Sequence, residues 1–276
     1  APIHSYRSSA ICGTWINSIE IRAVCSLDSE RDIGDNGYNA LFERVVYCMK
    51  KLSIIIPVYN EVHTIDEILR RVTNVHLAGW DKQVIVVDDG STDGTKKKLS
   101  KWEKKVTVIY KEKNEGKGSA ITIGLQKGIG DILIFQDADL EYDPMDYPVL
   151  LAPFENPKVN VVYGSRFLSP HLSTIYVYAL GNKFVTLVGN ILYNSDITDM
   201  ETGYKAFRKK VISDMTLKSK SFDMEPEITA KVLKKGNQIY EVPISYYGRR
   251  FSEGKKLTWR DGIVAFWTLI KYRFTD

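Results

Sequence analysis

Asp137, Asp139, Glu141 and Asp143 crowd together in the stretch QDADLEYDP, directly after the apolar run DILIF (131–135). In an extended backbone alternate residues point to one side. Asp137, Asp139 and Glu141 are therefore expected to face one point in space. Like charges converging there repel unless a cation sits among them, and an all-oxygen donor set suits Mg2+ or Mn2+. No glycine stands at the sixth position of the stretch, which excludes an EF-hand. The competing reading is a solvated turn capping the helix that Pro144 opens. The buried strand just ahead favours a site, because ligands of open α/β sheets collect at the carboxyl ends of strands.

A second polar turn, DDGSTDGT, follows the apolar run QVIVV (83–87). A carboxylate at Asp88 or Asp89 is able to accept hydrogen bonds from a ribose hydroxyl or a base N–H. The bland alternative is a local Asx-type turn. The segment GKGSAI (116–121) opens like a dinucleotide fingerprint, but Ile121 replaces the third small residue. No GxxxxGK[ST] occurs, which disfavours a P-loop NTPase. Lys117, at an expected helix start, is a candidate phosphate contact or simply a solvated lysine.

The elements that must hold these residues can be read from patterning. LSIII (52–56), QVIVV (83–87), VTVIY (106–110) and DILIF (131–135) read as buried strands. Thr64 and Glu67 suggest a capping box before the first helix. A lysine-rich helix is expected to about Lys104, and another from Lys117 to Lys127. Strand–helix alternation of this kind gives βαβ units and a mostly parallel sheet. Further on, VNVVYGSRF predicts a strand, DMETGYKAF a short strand or loop, EPEITAKVLKKG a helix and QIYEVPISYY a strand. Two apolar segments stand apart: 173–194, interrupted by Asn182, Lys183 and Asn190, and the basic–aromatic segment 257–274.

The 276 residues carry a net charge of +4, too mild to argue for nucleic acid. No run of 18 apolar residues occurs, so no clean spanning helix is expected. The first 48 residues contain all three cysteines and no lysine, whereas 26 lysines follow. Met49 opens MKKLSIIIPVYNE, which reads as a natural start. Residues 1–48 are expected to be an appended leader or a segment added upstream, outside the catalytic fold, with 49–276 the catalytic domain.

In order along 49–276, the segments IIPVYNE, VIVVDDGSTDGT, NEGKGSA, QDADLE, YGSRF, TDMETGYKAF, FDMEPEITAKV and EVPISYYGRR, with the basic residues after it, resemble the glycosyltransferase family 2 enzymes. The likeness extends to the dolichol-phosphate mannose synthase and polyprenyl-phosphate glycosyltransferase subgroup. It implies a GT-A fold, an α/β architecture with a mostly parallel central sheet flanked by helices and a C-terminal amphipathic helix. It also implies that Pro57, Tyr59 and Glu61 contact the nucleotide, that Val87 and Asp89 lie at base- and ribose-binding positions, and that Asp137, Ala138 and Asp139 form the DxD element. Asp139, with Asp137 and Glu141, would hold Mg2+ or Mn2+ on the donor diphosphate. Family members often have Gln where Glu141 stands. Arg166 matches a phosphate contact, and Arg249 and Lys255 a basic pair closing over the diphosphate and the lipid phosphate.

The implied reaction is inverting transfer of a hexose from a nucleotide-sugar, of the GDP-mannose or UDP-glucose type, to a polyprenyl monophosphate. A phosphate nucleophile with a second pKa near about 6 is already ionised and needs no general base. All four histidines lie outside the matched motifs. The alternative is a family 2 enzyme acting on a saccharide hydroxyl in polysaccharide synthesis. That chemistry needs a base, for which Asp199 or Glu201 would serve. A sugar-nucleotide pyrophosphorylase or a decayed binding protein fits fewer of the motifs. Trp259, Ile263, Phe266, Trp267, Ile270 and Phe274 recur at helical spacing with basic neighbours, as in an interfacial helix. The expected location is therefore cytoplasmic, peripheral on the membrane, with a membrane-protein partner as a further expectation.

Overall fold

The computed structural model describes residues 49–169, 176–213, 215, 217–219, 221, 223–248 and 259–275. Residues 1–48, on which the leader reading falls, lie outside the described residues, as do Arg249 and Lys255.

Seven strands make one sheet: β1 (Lys50–Val58), β2 (Trp80–Asp88), β3 (Thr107–Tyr110), β4 (Ile132–Phe135), β5 (Val161–Ser165), β6 (Lys205–Arg208) and β7 (Ile239–Pro243), in the order β3-β2-β1-β4-β6-β5-β7. β1 pairs in parallel with β2 and with β4, so that Ile54 lies between Val84 and Ile134. β6 runs antiparallel to both β4 and β5, and β5 pairs in parallel with β7. The apolar runs form central strands because both faces are covered. Leu52, Ile54 and Ile56 enter one core cluster, while Ile55, Leu133 and Phe135 enter the other.

On the first face lies α1 (Ile65–Asn74), whose Ile65, Ile68, Leu69 and Val72 recur at helical spacing and are fully buried. The capping box does not form. Glu67 is drawn to Arg70 and Arg71, and the Thr64 hydroxyl donates instead to Glu61 Oε2 at 2.9 Å. The lysine-rich helix α2 (Thr95–Leu99) is short and gives way to turns before Lys104. On the other face α3 (Lys117–Lys127) spans the expected residues. It approaches β1 so closely at Gly124 that a Cβ there would lie 2.3 Å from Ile55 Cγ2. Beyond β4 come a 3-10 turn (Pro144–Asp146) and α4 (Tyr147–Leu151).

The long apolar segment is helix α5 (Tyr176–Tyr193). After β6 and the short α6 (Lys209–Ile212) come α7 (Met224–Lys234) and the C-terminal α8 (Trp259–Phe274). Val185, Met200, Ala230, Leu269 and Tyr272 pack α5, α7 and α8 into a third cluster. No described helix is long and apolar enough to cross a membrane.

Candidate active site

The parallel strands β1, β2 and β4 end side by side, and each terminates in polar residues. Backbone hydrogen bonds knit the tips together: Asp89 N donates to Val58 O at 2.8 Å and Gln136 N to Ile55 O at 2.9 Å. Asn60, at φ 54, ties its loop to that after β2 by accepting from Thr92 N at 2.8 Å, while its own N–H donates to Ser91 Oγ at 2.9 Å. Pro57 is buried in β1 opposite Val87, and Tyr59 and Glu61 are partly exposed where the chain leaves the strand. Val87 is fully buried beside Ile85 and Ala120.

Asp89 is nearly buried and acts as a brace. Its carboxylate accepts from the Lys111 ammonium, from Glu115 N at 3.1 Å and from Gly116 N at 2.7 Å, tying β2 to the start of α3. Its neighbour Asp88 accepts from Ser91 N at 3.3 Å through one oxygen; the other, Oδ1, is buried without a hydrogen-bond partner among the described residues.

The acidic loop after β4 is not extended. Leu140 adopts φ 65, and Glu141 N donates to Asp139 Oδ1 at 3.1 Å, closing a turn between the two acids. The alternation that would have aimed Asp137, Asp139 and Glu141 at one point is thereby broken. Glu141 faces Tyr246, whose hydroxyl donates to its Oε2 at 2.9 Å. Asp143 caps the following 3-10 turn by accepting from Met145 N at 3.0 Å, as the capping reading expected for that one acid. Among the described residues no three His, Cys, Asp or Glu side chains gather as a metal site. Ala138, between Asp137 and Asp139, is buried in the core.

Asp137 nevertheless holds a cation. Its Oδ1 lies 2.8 Å from the Lys117 ammonium, whose other flank is 2.9 Å from Glu225 Oε1. Burial works against the charged lysine, but Asp137 and Glu225 outweigh it and hold Lys117 well above the ordinary lysine range. Asp137 also packs against backbone. A Cβ on Gly203 would come within 2.4 Å of Asp137 Oδ2. The loop's base is pinned by Gln136, whose Oε1 accepts from the Tyr147 and Tyr204 hydroxyls, each at 2.7 Å. The Tyr142 hydroxyl accepts from Gly203 N at 2.8 Å.

Arg166 follows β5. It donates from Nε and Nη2 to Asp199, both at 2.7 Å, and its guanidinium carbon sits 5.1 Å from the centre of the Tyr246 ring. Asn182 on α5 also donates to Asp199, at 2.7 Å. Burial pushes the Asp199 carboxyl upward, yet Arg166 and Asn182 prevail and hold it below its usual value. Glu201 behaves in the opposite way: burial and the charge of Glu225 push its carboxyl up, and its buried Oε1 has no hydrogen-bond partner among the described residues. Lys205, buried next to this group, is pushed down by burial.

Sequence reasoning missed Lys111, Gln136, Tyr142, Tyr204, Tyr246 and Glu225. Several lie inside the matched segments, but nothing in residue type or spacing marks a tyrosine or a buried glutamate as part of a site built from other strands.

Known proteins resemble the chain in sequence and in fold. The profile of the family described as glycosyl transferase family 2 matches residues 53–216. A dolichol-phosphate mannosyltransferase of Pyrococcus furiosus is 32% identical over 211 residues, which is 74% of this chain and 59% of that protein, so the chain spans little more than half of that relative. An N-acetylglucosaminyltransferase of Methanococcus voltae, named for UDP-N-acetylglucosamine and dolichyl phosphate, is 30% identical across 80% of this chain and 95% of its own length. An undecaprenyl-phosphate mannosyltransferase of Micrococcus luteus is 28% identical across 73% and 85%. Among solved structures, glucosyl-3-phosphoglycerate synthase of Mycobacterium tuberculosis, in complex with Mn2+, UDP and phosphoglyceric acid, has the same fold, with a TM-score of 0.65 at 17% identity over 90% of this chain and 85% of that one.

Proposed function

Because the chain belongs to the family 2 glycosyltransferases, we propose that it transfers a hexose from a nucleotide-sugar, of the GDP-mannose or UDP-glucose type, to a polyprenyl monophosphate with inversion at the anomeric carbon. The carrying observation is the arrangement at the tip of β4. Asp137 and Asp139 stand at the carboxyl end of a strand parallel to β1, with Lys117 beside Asp137 and Arg166 against Tyr246, whose hydroxyl holds Glu141 of the same loop; there a departing diphosphate would find compensating charge. The names of three relatives, which specify dolichol, dolichyl or undecaprenyl phosphate, support the acceptor class.

Asp137 and Asp139 fit a divalent ion. Their donors are oxygens, one of them already carries an ammonium, and Mg2+ commonly takes one or two carboxylates and completes its shell from substrate phosphates. When bound, Mg2+ or Mn2+ would supply positive charge to the leaving nucleoside diphosphate. The chain's own residues do the rest. The loops after β1 and β2, with Tyr59 and Glu61 partly exposed on the first and the buried Asp89 bracing the base of the second, would receive the nucleoside. Arg166, held by Asp199 and lying against Tyr246, would orient a phosphate, and Arg249 and Lys255 would close over it.

An ionised phosphate acceptor needs positioning and no base. The candidate bases for a hydroxyl acceptor are poorly suited to proton abstraction. Asp199 is committed to Arg166 and Asn182, and burial favours the protonated form of Glu201. This weighs against the saccharide-hydroxyl alternative.

Access to a lipid acceptor is carried by α5 and α8. Leu180, Phe184, Leu187 and Ile191 follow one another at helical spacing on α5, and each is more than half exposed. Phe184 stacks at 6.3 Å on Phe266 of α8, where Ile263, Trp267 and Phe274 are also exposed. The outer side of α8 is thus apolar, and its Lys271 and Arg273 are exposed beside it. Such a face suits the headgroup–acyl boundary. On this reading the enzyme works peripherally at the cytoplasmic face of a membrane, and residues 1–48 are dispensable.

The test is a donor screen. GDP-mannose, UDP-glucose and UDP-N-acetylglucosamine, each labelled in the sugar, are offered with one polyprenyl phosphate and Mg2+ or Mn2+. Metal-dependent passage of label into the butanol phase is expected for one donor. Label appearing only in water-soluble saccharide would overturn the acceptor assignment.

A further inference from the structure

Lys117 opens α3 with its ammonium between carboxylates from two other elements, Asp137 Oδ1 at 2.8 Å and Glu225 Oε1 at 2.9 Å. The two acids differ in depth. The Asp137 side chain, just beyond the tip of β4, is 18% exposed; that of Glu225 is 7% exposed, in the first turn of α7. The second oxygen of Glu225 is buried without a hydrogen-bond partner among the described residues. Nothing in the proposed reaction uses Glu225, and a half-satisfied buried carboxylate is costly to keep.

One ammonium with two carboxylates has a definite physical consequence. If Asp137 were its only partner, turning Asp137 toward an incoming metal ion would strand a largely buried positive charge, which is strongly unfavourable. With Glu225 behind it, Lys117 stays paired when Asp137 turns away. We propose that Lys117 is a resident counter-cation for Asp137, tethered by Glu225. In the ligand-free protein it occupies the place beside Asp137 that a divalent ion must win, and after yielding it remains in the site, next to the leaving diphosphate. Glu225 is a positioning residue that acts through Lys117. This inference rests on the functional reading above, in which a divalent ion and a nucleoside diphosphate come to Asp137 and Asp139.

A purely structural clamp joining α3, β4 and α7 would respond with the opposite sign. Cutting a clamp loosens the site and weakens metal binding, whereas removing a competing cation strengthens it. The experiment is a Mn2+ titration of the full chain without nucleotide, followed by electron paramagnetic resonance, on wild type, K117M, K117Q, K117R and E225Q. Removing a unit charge a few ångströms from the ion is expected to tighten Mn2+ binding about tenfold in K117M and K117Q. K117R restores the wild-type value, and E225Q, which leaves the ammonium facing Asp137 with one negative charge fewer nearby, binds Mn2+ more weakly than wild type. Unchanged or weaker binding in the neutral Lys117 variants, or failure of both to fold cooperatively, would overturn the proposal in favour of the clamp. The underlying functional reading fails separately: wild-type protein that takes up no Mn2+ even with GDP or UDP present would sink that reading rather than the counter-cation.

Discussion

The Arg166 guanidinium and the Asp199 carboxylate meet edge to edge, with Nε–Oδ2 and Nη2–Oδ1 both at 2.7 Å, although 33 residues separate them in the chain. Asp199 is fully buried and Arg166 is mostly so. The pair fixes the guanidinium plane against the Tyr246 ring, and a bidentate fork of this kind is specific in direction as well as charge.

Breaking that pair from the acid side should be costly. Asp199→Asn leaves a buried guanidinium short of its counter-charge, and removing one partner of a buried pair typically costs about 3–5 kcal/mol. Denaturant unfolding at neutral pH measures the loss. The double variant Arg166→Met with Asp199→Asn should lose less than the separate losses added together. The pH dependence carries a sign. Arg166 holds the Asp199 carboxyl below its ordinary 3.8 against the pull of burial. Its contribution is therefore fully present above that ordinary value and is lost as pH falls through the depressed one. The stability gap between wild type and Asp199→Asn should be level from pH 7 to about 5 and should shrink only below about 4. A gap that closed between pH 7 and 5 would refute the assignment.

Gly203 tests how tightly Asp137 is seated. A methyl group there would lie 2.4 Å from Asp137 Oδ2 and 2.8 Å from the Tyr142 ring. The carboxylate is the more movable neighbour, so Gly203→Ala should displace Asp137 at a modest stability cost, about 1–3 kcal/mol as for other overpacked sites. Sugar transfer should fall at least tenfold while the far-ultraviolet circular dichroism is kept. Full activity in this variant would show that the position of Asp137 does not matter.

The apolar outer face of α5 and α8 makes a separate prediction. Phe184→Glu and Trp267→Glu place charges on side chains that are 56% and 62% exposed, so neither should unfold the protein. Each should reduce co-sedimentation with vesicles containing anionic lipid several-fold, and activity on a polyprenyl phosphate in vesicles should fall more than activity on a short-chain analogue in solution. Equal vesicle binding by wild type and both variants would remove the membrane role from this face.

Much of the fold was legible because it depends on local patterning. The runs at 52–56, 83–87 and 131–135 each match an observed strand, and the Lys117–Lys127 helix matches to the residue. What depends on distant partners was not legible. β6 inserts antiparallel between β4 and β5, a choice made by strand pairing across the sheet and invisible in YKAFR itself. The alternation expected of the acids after β4 fails, because a left-handed Leu140 turns the chain where the residue pattern implies extended backbone. Asp199 was noticed only as a candidate base; its actual partner became apparent only once β5 and the loop before β6 were brought together. Glu225 lies in a segment that reads as a helix, but nothing local marks its partner, since the lysine that it holds stands 108 residues earlier.

The proposed chemistry depends most directly on Asp139. Asp139→Asn keeps size and shape while removing the charge, so the fold should be retained. Transfer of labelled sugar from the preferred nucleotide-sugar to a polyprenyl phosphate, measured at saturating Mn2+, is the decisive measurement. A fall of at least a hundredfold, with the melting temperature within a few degrees of wild type, is the predicted result. Transfer at the wild-type rate by the folded variant would contradict the claim that the carboxylates at the tip of β4 carry the chemistry.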